Sequence, residues 1–316
     1  MTYLRFSAKS EPVLGKFGQC VISTFLKQKE VPEEIISTAL EVEVHCDLAP
    51  QGLILGLEDS NSRQKSKTPS SSVLLRHAPF CPMLHLPSDY IFKQNYTGIA
   101  VAVAVMLESA DSKVLITRRP SHMRTFPNVW VPPGGSSEGS ETIIDTGLRE
   151  VLEETGLDVR NNNIDLDQGA PEPLCLWESV YPPLLAKGDP KRHQMVVYIH
   201  VKLKKSADQL MGEIKLCPQE TDACAWLDLD QVKLATDYST ELNAEKNLII
   251  YEPSKNRGDK VGHDTPLIET MKSQSILRSE VPMSGNVDVE RISTGTRFAL
   301  EQFYAKKKMI IRNSKI

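Results

Sequence analysis

The pattern of apolar and polar positions is weak in the first part of the chain. Residues 1–58 contain a partly helical apolar spacing over 13–26, two acids after Pro32, and short apolar runs at 41–44 and 52–57. A proline followed by acids favours the start of a helix, and short alternating runs favour strands. This region therefore predicts a small N-terminal α+β segment.

Residues 59–96 have neither helical nor strand periodicity. Residues 59–72 are rich in Ser and Lys, and Pro79, Pro82 and Pro87 follow them. Such a stretch has too little apolar surface to fold alone, and prolines interrupt regular structure. We predict a polar linker followed by a proline-rich connector.

The pattern sharpens in the middle of the chain. It predicts strands at 98–107, 113–117, 174–180, 195–203 and 223–227, a loop leading to 130–131, and helices at 140–155 and 296–308. A mixed order with more strands than helices indicates an α/β (α+β) domain, which we place at 97–239. Residues 240–290 are poorly patterned, so 240–316 is predicted to form loops and a C-terminal helix packed on that domain.

Composition and charge narrow the class of protein. Of the 316 residues, 40% are hydrophobic and 25% are charged, and the formal net charge is −4. These values fit a globular protein and give no overall positive charge for unspecific DNA binding. The longest apolar run, 98–107, is about half the roughly twenty residues that cross a bilayer, so no membrane partner is expected.

The cysteines and the C-terminus bear on location. The six cysteines include no CxxC pair, which is typical of an intracellular protein with reduced thiols and predicts a cytoplasmic location. His77 and Cys81 are four apart and could bind metal, but no second pair accompanies them, so ordinary burial is expected. The C-terminal Ser314-Lys315-Ile316 approaches a peroxisomal signal but lacks its final Leu.

The chemistry is concentrated in a regularly spaced acidic motif. Its fixed positions are Gly135, Glu141, Arg149, Glu150, Glu153, Glu154 and Gly156. On a helix, Glu150, Glu153 and Glu154 share one face, where three like charges repel each other. A divalent cation would convert that repulsion into coordination, and all-oxygen ligands favour Mg²⁺ or Mn²⁺. A solvated acidic helix face is the alternative.

The rest of the motif supports a helix with defined ends. The apolar side is predicted to consist of Ile143, Ile144, Leu148, Val151 and Leu152. Ser140 suits the N-cap, and Gly156 suits the C′ position, where a positive φ costs glycine little. Gly134 and Gly135 allow a sharp turn that brings N–H groups near an anion. Arg149 stands four residues after Asp145, so a local pair is one possible role.

This spacing resembles the signature of the Nudix hydrolase family at every fixed position. A chance match is expected on the order of once per million chains. The resemblance implies an α/β/α sandwich around a mixed sheet and metal-dependent hydrolysis of a pyrophosphate bond in a nucleotide-like substrate. It also implies that Arg149 holds the glutamates in place. Glu153 and Glu154 are the leading metal ligands, with Glu150 adjacent.

Other candidate residues lie outside the motif. Glu220 precedes the strand that bears Trp226, where the family often has a catalytic glutamate, and Asp222 is the substitute. The general base is Glu154 or Glu220, which the sequence does not separate. Arg118 and Arg119 follow a strand at the expected cleft edge and could clamp a phosphate or remain solvated.

Four further segments resemble a vertebrate subgroup of the family. They are 79–82, 128–135, 176–183 and 292–300. This likeness implies hydrolysis of N7-methylguanosine-capped RNA to 7-methyl-GDP and 5′-phosphate RNA, with Mg²⁺ or Mn²⁺. The alternatives are hydrolysis of coenzyme A, ADP-ribose or a dinucleotide, and a nucleotide- or cap-binding sensor.

Some residues would suit a capped RNA. Trp177 and Tyr181 could stack on the cationic base, and Glu178 could accept from the guanine edge. Burial of Trp177 beside its strand is the alternative. The basic tail from Lys306 to Lys308 could follow RNA phosphates or be a solvated helix end.

Overall fold

The computed structural model describes most of the chain in two compact units. The described residues are 2–6, 13–28, 40–45, 53–56, 71–87, 89–139, 141–160, 164, 169–236, 247–252, 267–272 and 290–313. The first unit comprises Met1–Ala104, Gly135–Gly147 and Glu172–Ile199, and the second comprises Val105–Gly134, Leu148–Pro171 and His200–Ile316. The domain boundaries inferred from the sequence stay a prediction.

Strands dominate the described part of the chain. They are β1 (Arg5–Phe6), β2 (Val13–Leu14), β3 (Leu40–His45), β4 (Ile54–Gly56), β5 (Ser71–His77), β6 (Ala100–Glu108), β7 (Val114–Arg118), β8 (Val129–Val131), β9 (Gly134–Ser136), β10 (Glu172–Tyr181), β11 (Arg192–Lys202), β12 (Ala223–Leu227), β13 (Asn247–Glu252), β14 (Leu267–Lys272) and β15 (Arg291–Ile292). The α-helices are α1 (Val21–Gln28), α2 (Ile143–Thr155), α3 (Ala207–Met211), α4 (Leu229–Thr236) and α5 (Thr294–Asn313).

The first unit is built on a mixed sheet. From β11 the strand order runs β11-β10-β5-β3-β4-β1-β2. Strands β10 and β5 are parallel, as are β1 and β4, whereas β3 pairs antiparallel with both β4 and β5. The β10–β5 register places Glu178 opposite His77, so a carboxylate and an imidazole become neighbours on one face of the sheet.

The second unit has a mainly antiparallel sheet in the order β14-β13-β12-β7-β6. Strand β8 pairs antiparallel with β7 and parallel with β15. Every residue of β6 is buried, because its near-continuous Val and Ala run suits a central strand covered on both faces. Helices α4 and α5 pack on each other in this unit.

The structure confirms the predicted mixed α+β architecture and shows where the pattern misled. The apolar spacing over 13–26 predicted one helix, but β2 ends at Leu14 and α1 begins at Val21. Strand β5 lies in the predicted connector, and strands β13 and β14 lie in the poorly patterned region. Strand β5 pairs with the distant β10, so nothing in its local sequence marked it. Strands β13 and β14 pair with each other, and their apolar spacing was too weak to mark them. The helix predicted after Pro32 lies outside the described residues.

The described helices were not expected to cross a membrane. Among the described residues, no helix combines the length and apolar character needed to span a bilayer.

Candidate active site

Helix α2 carries the acidic motif, and its ends are defined by local chemistry. It begins at Ile143, and the Thr142 hydroxyl accepts from Asp145 N at 3.0 Å, as an N-cap side chain does. Ser140, the predicted cap, lies outside the described residues. At the other end Gly156 has φ +71° and donates its N–H to Leu152 O, as expected for the C′ position.

The buried face of α2 differs from the predicted one. Ile143, Leu148 and Val151 are buried as expected, but Leu152 is 42% exposed, so its predicted place in the apolar face is wrong. Glu154 occupies the buried side instead, three residues after Val151. A carboxylate thus takes a position that an apolar side chain would normally fill.

Protein donors surround the Glu154 carboxylate in the second unit. Its Oε1 accepts from Gly134 N at 3.3 Å, and its Oε2 lies 3.4 and 3.3 Å from the Thr117 and Thr221 hydroxyls. Burial raises the pKa of Glu154 to about 8, and the nearby charges of Glu150 and Glu220 also raise it. The Gly134 hydrogen bond and Arg119 only partly offset these effects. Without a cation, this anion is undercompensated.

Arg149 bridges the other two glutamates of the motif. Its Nη1 lies 2.9 Å from Glu150 Oε1 and 2.7 Å from Glu153 Oε2. This is the positioning role implied by the family resemblance. Burial raises the pKa of Glu150 despite that contact, while the Glu153 side chain is half exposed. The three carboxylates therefore run from buried to solvent-facing along one helix.

The loop that carries Glu220 is tied to the end of α2. Lys215 N donates to Thr155 O at 2.8 Å, and Cys217 N donates to Glu154 O at 3.0 Å. These contacts satisfy carbonyls that the helix end leaves free. The exposed Glu220 follows in a turn, close enough to raise the pKa of Glu150 and Glu154. The structure thus brings the four candidate carboxylates together.

Two site contacts were missed from the sequence. Thr117 and Thr221 reach Glu154 from β7 and from the loop before β12. A threonine in a strand or a loop has no distinctive spacing, so no sequence signal marked either residue.

Arg118 is not available as a phosphate clamp. It makes ion pairs with Asp222 at 2.7 Å, Glu252 at 2.6 Å and Glu290 at 3.2 Å. These carboxylates account for the guanidinium's hydrogen-bonding fork, which corrects the prediction for Arg118. The same contact gives Asp222 a structural role rather than that of substitute base. Arg119 donates to Thr125 O and acts on Glu154 through its charge.

The predicted cap-binding residues are placed elsewhere. Glu178 is 2% exposed and its carboxylate accepts from Val21 N and bonds His193, so it cannot meet a guanine edge in this structure. Trp177 is 7% exposed, which matches the burial alternative. Adjacent strand residues point to opposite faces, and both of these are buried. Both faces of β10 are therefore covered here, by elements that the local sequence did not reveal.

The basic tail is also anchored. Lys307 Nζ lies 2.7 Å from the buried Glu108 carboxylate, and Lys306 Nζ lies 2.8 Å from His200 Nδ1. Lys308 lies over the Tyr304 ring. The suggestion that this run follows RNA phosphates is therefore not supported for Lys306 and Lys307.

The remaining motif residues lie in the first unit. Glu141 Oε2 accepts from Glu138 N at 3.2 Å and from the Thr146 hydroxyl at 3.1 Å. Gly135 lies in β9. The side chain of Glu141 therefore fixes the turn that leads into α2.

Comparisons with known proteins agree with this geometry. A NUDIX domain model matches residues 98–246. The "m7GpppN-mRNA hydrolase NUDT17" of Danio rerio is 40% identical over 268 residues, covering 83% of each chain. Its Homo sapiens counterpart is 34% identical over 277 residues, covering 82% of this chain and 76% of the relative.

Solved structures give a weaker likeness. The MutT protein from Methanosarcina mazei Go1 is 19% identical with a TM-score of 0.30, and covers 42% of this chain and 80% of its own. That score is too low to carry an argument. The matching domain model, the relatives and the complete motif around α2 show that this chain belongs to the Nudix hydrolase family.

Proposed function

We propose that this Nudix hydrolase cleaves N7-methylguanosine-capped RNA to 7-methyl-GDP and 5′-phosphate RNA, with Mg²⁺ or Mn²⁺ as cofactor. The observation that carries the hydrolytic part is the convergence of Glu150, Glu153 and Glu154 on α2 with Glu220 on the adjoining loop. The substrate rests on the relatives, which are named for this reaction and match over most of both chains.

The carboxylates fit a hard divalent ion. Nudix hydrolases use divalent metal ions, and this cluster offers only oxygen ligands, as Mg²⁺ and Mn²⁺ prefer. Burial raises the pKa of Glu150 and Glu154, and the neighbouring carboxylates add to the rise, so a bound cation would stabilise their ionised forms. We propose that Glu150, Glu153 and Glu154 hold the ion, which would neutralise phosphate oxygens and acidify water.

We assign the general base to Glu220. Glu154 has both oxygens in contact with protein donors, whereas Glu220 is exposed at a turn and open to solvent. In the proposed step, a water oxygen forms a bond to phosphorus, the bridging P–O bond breaks, and Glu220 takes the water proton. Arg149 keeps two ligands in place and does not touch the substrate.

A product assay tests the substrate. The protein and Mn²⁺ are incubated with capped RNA, coenzyme A, ADP-ribose and diadenosine polyphosphates, and products are identified by mass spectrometry. We expect release of 7-methyl-GDP. Turnover of the small molecules alone would replace decapping by small-molecule hydrolysis, and tight cap binding without product would indicate a sensor.

A pair of variants tests the base. Glu220→Gln is expected to lower kcat by about 10²–10⁴ with little change in metal affinity, the scale of losing a general base. Glu213→Gln, on the preceding exposed loop, is the matched control and should retain turnover. Loss of metal binding in Glu220→Gln would instead make Glu220 a ligand.

A cytoplasmic location is part of the same proposal. It agrees with the absence of a disulfide among the described cysteines Cys20, Cys81, Cys175, Cys217 and Cys224. The C-terminal residues 314–316 lie outside the described residues. Localisation of a fluorescent fusion with the C-terminus left free would distinguish a cytoplasmic from a peroxisomal location.

A further inference from the structure

A second group of potential metal ligands lies buried in the first unit. Cys20 precedes α1, His77 ends β5, and Glu178 lies in the middle of β10. One ligand atom from each lies within 4.8 Å of the others, and all three residues are buried. Residues far apart in sequence thus converge on a point shielded from solvent.

One ring nitrogen of His77 lacks a hydrogen-bond partner at this place. Its Nδ1 bonds the Ala78 carbonyl oxygen, while its buried Nε2 has no hydrogen-bond partner. His77 is only 5% exposed. A histidine that donates one N–H to a backbone carbonyl and presents its other nitrogen is oriented as a metal ligand usually is.

Cys81 lies next to Cys20, beside the group formed by Cys20, His77 and Glu178. It lies four residues after His77 and precedes the 3₁₀ turn Pro82–Leu84, where its side chain makes no capping hydrogen bond. The Cys81 thiol contacts the Cys20 side chain, so two sulfurs lie next to each other. A coordinated thiol loses its proton, so both sulfurs would bind a cation as thiolates.

Glu178 is held ready for the same point. Val21 N donates to Oε1 at 2.8 Å and His193 Nε2 lies 2.9 Å from that oxygen, while Oε2 lies 3.6 Å from Cys20 Sγ. Ile22 N also lies 3.4 Å from Oε2. This oxygen therefore faces both the start of α1 and the Cys20 sulfur.

We propose that four side chains of the first unit hold a structural zinc ion: Cys20, His77, Cys81 and Glu178. Two sulfurs, one nitrogen and one oxygen form the mixed, closed set that tetrahedral Zn²⁺ accepts, whereas Mg²⁺ and Mn²⁺ prefer oxygen alone. With Zn–S bonds of about 2.3 Å and Zn–N bonds of about 2.0 Å, zinc binding would draw the ligand atoms of Cys20, His77 and Glu178 closer together than their present separations of up to 4.8 Å. The ion would join α1, β5, the 78–84 turn and β10.

The zinc content of the native chain is the primary test. Untagged full-length protein is purified under reducing conditions and gel-filtered in a weak chelator that strips Mg²⁺ and Mn²⁺. We expect about one zinc per chain by plasma mass spectrometry. Protein that contains less than about a tenth of an equivalent and takes up no added Zn²⁺ would overturn the proposal, as would a native disulfide between Cys20 and Cys81.

Matched variants locate the ion. Cys20→Ala is expected to lose the zinc, whereas Cys224→Ala, which removes another buried cysteine, and Glu154→Gln should retain it. Co²⁺ exchanged into the wild type should give sulfur-to-cobalt charge-transfer absorption, which Cys20→Ala lacks. If Cys20→Ala does not fold, release of zinc on mercurial titration of the native thiols decides, and a thiol reaction without zinc release contradicts the proposal.

Discussion

Two buried glutamates, Glu154 of the second unit and Glu178 of the first, show how the surroundings of a carboxylate determine its charge state. Glu154 and Glu178 are 6% and 2% exposed. Burial and the charges of Glu150 and Glu220 raise the pKa of Glu154 to about 8. The hydrogen bond from Gly134 N and the charge of Arg119 offset only part of this rise. Around Glu178, His193 and the donors at the start of α1 outweigh burial and lower the pKa.

The difference separates a site that needs a counter-ion from a carboxylate that the protein itself compensates. The like charges beside Glu154 repel each other and destabilise the metal-free fold. A bound cation would offset this repulsion. Glu178 is held by Val21 N, Ile22 N and His193, and we propose that it also supplies a zinc ligand. Five measurements would break or sharpen this contrast.

The largest expected effect is the loss of turnover when Glu154 is replaced. Glu154→Gln should lower kcat by about 10²–10⁴, because a buried ligand charge for the proposed metal is lost. Steady-state decapping kinetics at saturating Mn²⁺ measure it. Glu138→Gln, an exposed glutamate outside the fixed motif positions, is the control. Near wild-type turnover in Glu154→Gln would remove Glu154 from the site.

The next effect is on folding and concerns Glu178. Glu178→Gln should lower the free energy of unfolding by about 1–3 kcal/mol, the scale of leaving buried donors without their acceptor. Urea unfolding at pH 7 followed by circular dichroism measures it. The metal-free Glu154→Gln variant should not be destabilised at that pH. Equal losses in both variants would mean that the two carboxylates are compensated alike.

The third effect is the pH dependence of the metal-free protein. Since the folded pKa of Glu154 is raised from 4.5 to about 8, its contribution to stability is complete below 4.5 and is lost as pH rises towards 8. Glu154→Gln should therefore gain on the wild type by up to about 1.4 kcal/mol per pH unit in this window.

Metal uptake gives an independent reading of the same titration. Binding of Mn²⁺ near pH 6.5 should release about one proton from Glu154. Calorimetry in buffers of different ionisation enthalpy measures this release. Uptake without proton release at that pH would show that Glu154 is already ionised.

The smallest effect concerns Gly156. Alanine there would have to adopt φ +71° and would place its Cβ 3.1 Å from Lys215 Cβ and Lys215 O. Gly156→Ala should cost about 1–2 kcal/mol from the backbone conformation alone, and it should also lower kcat, because the Lys215–Glu220 loop is displaced. Thermal unfolding and turnover together measure both, with Gly139→Ala, a positive-φ glycine in open space, as the control.

Much of the acidic site could be predicted because its information is local. Glu150, Glu153 and Glu154 lie on one helix, so their spacing defines a common face without any knowledge of the fold. Gly156 could be predicted from its place at the end of the same helix. Glu220 was proposed from its distance to Trp226, but only the hydrogen bonds from Lys215 and Cys217 to the end of α2 explain why its loop lies there.

Two of the errors about the site share one physical cause. Arg118 and Glu178 were assigned to the substrate on the strength of residue type, yet partners at positions 222, 252 and 290 in one case and 21 and 193 in the other already satisfy them. A charged side chain carries no local sign of such partners, because they come from other strands and loops.

By itself, the sequence determined the family, the acidic helix and the preference for a hard divalent ion, since each depends on residues within about six turns of one helix and its flanks. Only the tertiary structure decided which glutamate is uncompensated and that His77 and Cys81 meet Cys20 and Glu178. Burial and long-range pairing set the charge balance of a side chain, and neither is encoded in local spacing.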